Sequence, residues 1–188
     1  MQQTLPSAAS WLKRYYFLRA AVSFAWVALA FTTGLRNPVA GAVLLITYPA
    51  WDALANYLDA RKSGGLASNK PQTVNMVVSL VTTVGVVLAL PRGAGAVILV
   101  FGVWAVLSGL LQLMTGLARW KMSGAQWAIV LSGAQSILAG GFFVLMGTGP
   151  AARAAVAVVA PYAAFGAFYF LVSAIWLTIR IRPAPARA

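Results

Sequence analysis

The chain has 188 residues, 61% of them hydrophobic and 9% charged, with a mean hydropathy of +0.83 and a net charge of +12. A soluble domain carries about 25% charged residues, so this chain cannot clothe a water-facing surface, and lipid is its better solvent. It has no cysteine, no histidine and no acidic residues except Asp52 and Asp59; this excludes disulfides, thiolate or imidazole metal sites and every carboxylate pair but that one.

Met1 to Ser10 reads as a short flexible start. Trp11, Lys13, Arg14, Tyr15, Tyr16 and Arg19 then mix basic and aromatic side chains, as a membrane–water interface favours. A first span is predicted over 16–34. Ala28-Leu29-Ala30 imitates a signal-peptidase site, but cleavage there would orphan the second span, so the segment is read as a span. Arg36, Asn37 and Pro38 form a tight turn, because a proline biases the residue before it away from helix. The second span is predicted over 39–58, with Pro49 inside it, where a kink is expected. Arg61 to Gln72 is the longest connection, a polar loop with breakers at Gly64, Gly65 and Pro71.

The third span is predicted over 73–90 and ends at Pro91, Arg92 and Gly93. The fourth, over 95–117, runs into a basic connection from Arg119 to Gly124. The fifth covers 125–146, Gly147 to Arg153 turns the chain, and the sixth covers 154–179, with a C-terminal tail expected to be disordered. The fold class that follows is an all-α membrane protein with six transmembrane helices. They fill one integral membrane domain over 1–188 and leave no room for a soluble domain.

The 14 Lys and Arg residues stand singly or in small groups between the apolar runs. That placement fits membrane topology and argues against a nucleic-acid partner. Eleven of them, including Lys13, Arg61, Lys70, Arg119 and Arg180, fall on the side of the termini; Arg36, Arg92 and Arg153 fall on the other. The positive-inside rule therefore puts both termini in the cytoplasm of a bacterial inner membrane.

The even spans also look like copies. A shift of 56 residues lays Tyr48 on Trp104, Asp52 on Ser108, Asn56 on Gln112 and Asp59 on Thr115; a shift of 64 lays Phe101-Gly102 on Phe165-Gly166. Three helical-hairpin repeats of about 55 to 65 residues are expected, all entering from one side. They are therefore parallel rather than inverted, which departs from a common transporter pattern.

In 101–146, Ser108-Gly109 precedes Leu110-Leu111-Gln112-Leu113, a basic turn follows, and then comes Ser132-Gly133-Ala134-Gln135-Ser136-Ile137-Leu138-Ala139-Gly140. These Gly-punctuated hairpins resemble the HdeD-like acid-resistance membrane protein family of bacteria. The resemblance extends more weakly over all six spans and departs most in the first hairpin, at Pro49 and the two Asp residues. It implies a six-helix inner-membrane protein with a part in acid or envelope stress tolerance, and it hands over no catalytic residues.

Asp52 is the sharpest candidate for function, about 12 Å from the nearer end of its span at 1.5 Å per residue. An ionisable residue at that depth is costly unless paired, hydrated or neutral. Tyr48, Asp52, Asn56 and Asp59 share one helix face. With Gln112 and Gln135, Tyr48, Asp52 and Asn56 make a candidate polar cleft open to the cytoplasm. The alternative is structural glue, in which Asp52 bonds across helices to Gln112 or Gln135, or pairs with Arg19. Asp59 is expected to be an interfacial charge beside Arg61 and Lys62.

Ser132, Ser136 and Gly140 form a small-residue stripe for close helix packing, within the chain or against a second subunit. Trp104 and Trp176 are expected to be packing residues. The functional expectation is a non-enzymatic membrane protein of HdeD type with no cofactor. Its partners would be the bilayer and a second copy or other membrane proteins. The alternative is a small transporter or a proton or solute conduit built on the Asp52 stripe.

Overall fold

A computed structural model describes residues 5–121, 126–149 and 154–180. It is all-helical among these residues, with α1 Leu5–Leu29, α2 Pro38–Lys62, α3 Lys70–Ala89, α4 Ala94–Ala118, α5 Gln126–Gly147 and α6 Ala155–Arg180. A π-helical turn, Ala30–Gly34, extends α1, and a 3-10 turn, Leu90–Arg92, extends α3. All six helices are long and apolar enough to cross a membrane, which gives the chain the build of a multi-pass membrane protein.

The helices run further than the sequence predicts, chiefly at the basic end. The expected flexible start is helical from Leu5, because Leu12, Tyr15 and Tyr16 are buried against Phe170, Ala174 and Leu177 of α6. The expected 61–72 loop shrinks to 63–69. Gly64 and Gly65 adopt φ of +100° and +94° there, and the Gly65 N–H donates to the Ala60 carbonyl at 2.9 Å, a reversal that side chains with a Cβ resist. The turn before α2 is capped by Asn37, whose side chain accepts from the Val39 and Ala40 N–H groups. Pro49 and Pro161 lie inside continuous helices. The C-terminal tail, Arg153 and most of the α4–α5 connection lie outside the described residues.

Each helix packs on its chain neighbours, and α6 returns against α1 to close the bundle. The start of α1 meets the ends of α2 and α6: Trp11 bonds Asp59, and Tyr16 stacks on Phe170. The two ends of the described chain therefore share one end of the bundle. The closest packing falls between α4 and α5, α1 and α6, and α2 and α3. Only sparse contacts join α1 directly to α2.

Glycine explains the tightest of these pairings. Gly102 and Gly109 of α4 face Gly140 and Gly133 of α5, at seven-residue steps in each helix. A Cβ on Gly109 would lie 2.7 Å from the Gly133 carbonyl oxygen, and one on Gly140 would lie 2.7 Å from the Gly102 carbonyl oxygen. Only hydrogen fits at these crossings, so the backbones touch, as small-residue interfaces in membranes allow.

Two apolar clusters divide the interior. The larger fills the end away from the start of α1, with Ile98, Phe101, Val159 and Ala160 fully buried. The smaller lies at the other end, around Leu12, Tyr16, Ile129 and Phe170.

Candidate functional site

Between the two clusters lies a chamber of about 80 Å³, enough for several water molecules. Its wall draws on all six helices. Two layers of charge sit in it, each an aspartate of α2 paired with an arginine from elsewhere.

Asp52 lies ten residues before the end of α2, about 15 Å along the axis. It is 6% exposed, which demands partners for a carboxylate. Arg19 of α1 forms an ion pair with its Oδ1 through Nη2. Asn56 Nδ2 and Ser79 Oγ donate to its Oδ2 at 2.9 and 2.8 Å. Ser79 in turn accepts from Trp104 Nε1 at 2.9 Å, which ties α2, α3 and α4 together. The Arg19 guanidinium also donates to the Tyr15 hydroxyl at 3.1 Å and stacks 4.2 Å from the centre of the Phe170 ring. Its Nε has no acceptor among the described residues.

Asp59 lies two turns further along α2 and is 0% exposed. Trp11 and Ser63 donate to its Oδ1, each at 3.1 Å. Gln72 and Arg119 donate to its Oδ2 at 3.1 and 2.8 Å. Sequence reasoning makes Asp59 an interfacial charge beside Arg61 and Lys62, and the structure corrects this. The carboxylate points inward, because the helices continue past the predicted span ends and bring Trp11, Gln72 and Arg119 to it. Burial by itself works against the charge on Arg119, which stands just past α4, but Asp59, with Tyr16 and Tyr15, more than offsets it. The guanidinium is held charged above its ordinary range.

All five residues predicted for a polar cleft line this chamber: Tyr48, Asp52, Asn56, Gln112 and Gln135. Tyr48 packs between Trp26 and Trp104, 4.7 and 5.6 Å between ring centres, at the boundary with the larger apolar cluster. Of the three cross-helix partners considered for Asp52, Arg19 is the one found. Gln112 presents an amide nitrogen with no acceptor among the described residues.

The small-residue stripe divides by face. Gly140 packs on Gly102, Ser136 donates to the Ala105 carbonyl at 3.0 Å and lies 2.5 Å from the Tyr162 hydroxyl, and Ser132 lines the chamber. Both helix contacts of the stripe are therefore within the chain. Trp104 is a hydrogen-bond donor as well as a packing residue.

Ser79, Asn75, Gln72 and Tyr162 escaped the sequence reading. A signal for three of them is present: Gln72, Asn75, Ser79 and Thr82 recur at helical spacing along α3, and all four are buried. Asn75 accepts from Ser108 of α4 at 2.8 Å. Nothing in sequence marks Tyr162.

Chemically, the chamber offers two guanidinium charges, two carboxylates, amides, hydroxyls and aromatic faces around a space for several water molecules. Among the described residues no three Asp, Glu, His or Cys side chains gather as a metal site would require. Comparison with family models, with curated proteins and with solved structures finds no match for this chain.

Proposed function

We propose that this chain is a small transporter or solute conduit, and that the chamber is where it holds its solute. The observation that carries this reading is the Arg19–Asp52 pair. It is set deep between helices and faces a cavity instead of being packed over. Structural glue needs no cavity beside it, and a membrane protein that leaves polar space around a charge pair keeps that space for something polar. The apolar cluster around Phe101 and Val159 supports the same reading, since it seals one end and makes the chamber a one-sided vestibule. Alternating access would require that seal to part.

In this proposal the protein sits in a bacterial inner membrane, with the basic end in the cytoplasm by the positive-inside rule. The three-hairpin repeat is part of the same reading. Its 56-residue shift pairs Tyr48 with Trp104, and these two rings meet across the chamber wall. The resemblance to HdeD-like proteins adds a physiological setting, acid or envelope stress, without an enzymatic step.

The test uses the absence of native cysteine. Ser132→Cys places a lone thiol on the chamber wall. A membrane-impermeant thiol reagent applied in proteoliposomes should label it from one side, and Asp52→Asn should abolish any pH-gradient decay that wild type adds over empty liposomes. A thiol unlabelled from both sides, with decay equal to that of empty liposomes, would reduce Asp52 to helix packing.

A further inference from the structure

We propose that the chamber's solute is a small monocarboxylate that replaces the Asp52 carboxylate on Arg19, and that one proton enters with it on Asp52. This rests on the solute-binding reading above and names its substrate class and coupling.

The starting observation is that the guanidinium fork is half used. Arg19 Nη2 holds Asp52 Oδ1, while Nε, on the same edge, has no acceptor among the described residues. The second Asp52 oxygen is taken by Asn56 and Ser79. An arginine edge fits both oxygens of one carboxylate, and that bidentate contact is the stronger one. A free carboxylate of the same shape could make it, where Asp52, held from behind by Asn56 and Ser79, does not.

Charge sets what must accompany the guest. The lining carries two arginines and two aspartates, each paired, so the chamber is neutral as it stands. A carboxylate arriving alone would add an uncompensated negative charge at membrane depth, which is costly. Arginine cannot shed its charge. The titratable and charged groups around Asp52 are Arg19 and Tyr15 of α1, Tyr48 of its own helix and Tyr162 of α6. α3 presents Ser79, and neither α4 nor α5 contains a titratable residue. Neutral tyrosines have no site for an incoming proton. Asp59 is enclosed by four donors at 0% exposure.

Asp52 is therefore the group that takes the proton. An O–H bond forms on it from a solvent proton, its ion pair with Arg19 breaks, and the guest's ion pair with Arg19 forms. No bond within the guest changes. The protonated carboxyl keeps Asn56 and Ser79 as donors to Oδ2, so it stays seated.

The walls fit an apolar tail. Phe170 lies against the guanidinium, and Tyr16, Trp51 and Tyr48 present further aromatic faces. Arg61, Lys62, Lys70 and Lys121 are exposed at the basic end with no free acidic residue in the chain to neutralise them, which favours anion capture there.

Propionate, small enough for the chamber, is the probe, titrated calorimetrically into the full chain in phosphatidylcholine nanodiscs, with empty nanodiscs subtracted. Repeating the titration in buffers of different ionisation enthalpy reads proton uptake. Wild type should take up about one proton per propionate, and its affinity should fall about tenfold per pH unit on the alkaline side. Asp52→Asn should bind with no proton uptake and a flat pH profile. Arg19→Lys, which keeps the charge but not the fork, should weaken binding about tenfold.

Binding without proton uptake, or uptake that persists in Asp52→Asn, would overturn the coupling. No propionate binding by wild type, when the Ser132→Cys thiol is labelled in a parallel sample, would overturn the substrate class and leave the solute site standing. No binding with no labelling would remove both.

Discussion

Two carboxylates on one helix end up with different work because of how many donors reach each. Asp59 accepts from Trp11, Ser63, Gln72 and Arg119, and it joins α1, α2, α3 and the end of α4 at one point. Asp52 accepts from Arg19, Asn56 and Ser79 beside open space. Asp59 is therefore the structural member of the two. Removing one partner of a buried pair leaves the other charge unpaired, at a cost of roughly 3–5 kcal/mol. Asp59→Asn should accordingly lower the thermal unfolding midpoint in detergent more than Asp52→Asn does. Adding Arg119→Gln should recover part of the loss. If the double variant loses as much as Asp59→Asn and Arg119→Gln lose separately, added together, the pair carries no coupling.

At the scale of the helices, backbone approach between α4 and α5 depends on glycine at a few positions. Gly140 and Gly141 are adjacent and make a direct comparison. A Cβ on Gly140 meets the Gly102 carbonyl oxygen and the Val106 nitrogen at 2.7 Å, whereas one on Gly141 meets nothing within 4 Å. Gly140→Ala should destabilise the bundle by about 1–3 kcal/mol through overpacking. Gly141→Ala should leave stability unchanged or raise it by up to about 1 kcal/mol, since alanine is the better helix former. Unfolding in detergent, followed by circular dichroism, separates the two; equal effects would mean that α4 and α5 do not meet at Gly102 and Gly140. Heptad spacing of these glycines is visible in the chain itself, yet the small-residue stripe expected from sequence is Ser132, Ser136 and Gly140, without Gly133. Periodicity marks a stripe, and only the packing tells which side of the stripe meets backbone.

For the molecule as a whole, the proposal places the basic end in the cytoplasm. Ala67 lies in the α2–α3 connection and Thr148 in the turn after α5, both exposed and at opposite ends of the bundle. With no native thiol to interfere, Ala67→Cys should be protected from an impermeant reagent in intact cells and labelled after lysis. Thr148→Cys should be labelled in intact cells. Labelling of both from outside would contradict six crossings, and the reverse pattern would invert the orientation.

Six helices long and apolar enough to cross a membrane, and the α-helical class, were legible in the sequence alone, because hydropathy over a window of helix length is a local quantity. The polar face of α2 was legible for the same reason: Tyr48, Asp52 and Asn56 follow helical spacing, and so must face the same way. The tertiary structure decided what that face meets. From sequence, Arg19 is one of three possible partners for Asp52 and Arg119 belongs to a basic connection; which pairs form depends on how far α1 and α4 extend and how each is rotated in the bundle. The chamber likewise draws its wall from all six helices, with α4 and α5 closed tightly on glycine and α1 and α2 in sparse contact beside their ion pair. Such distances between helices arise from packing among all six, and no stretch of the chain encodes them locally.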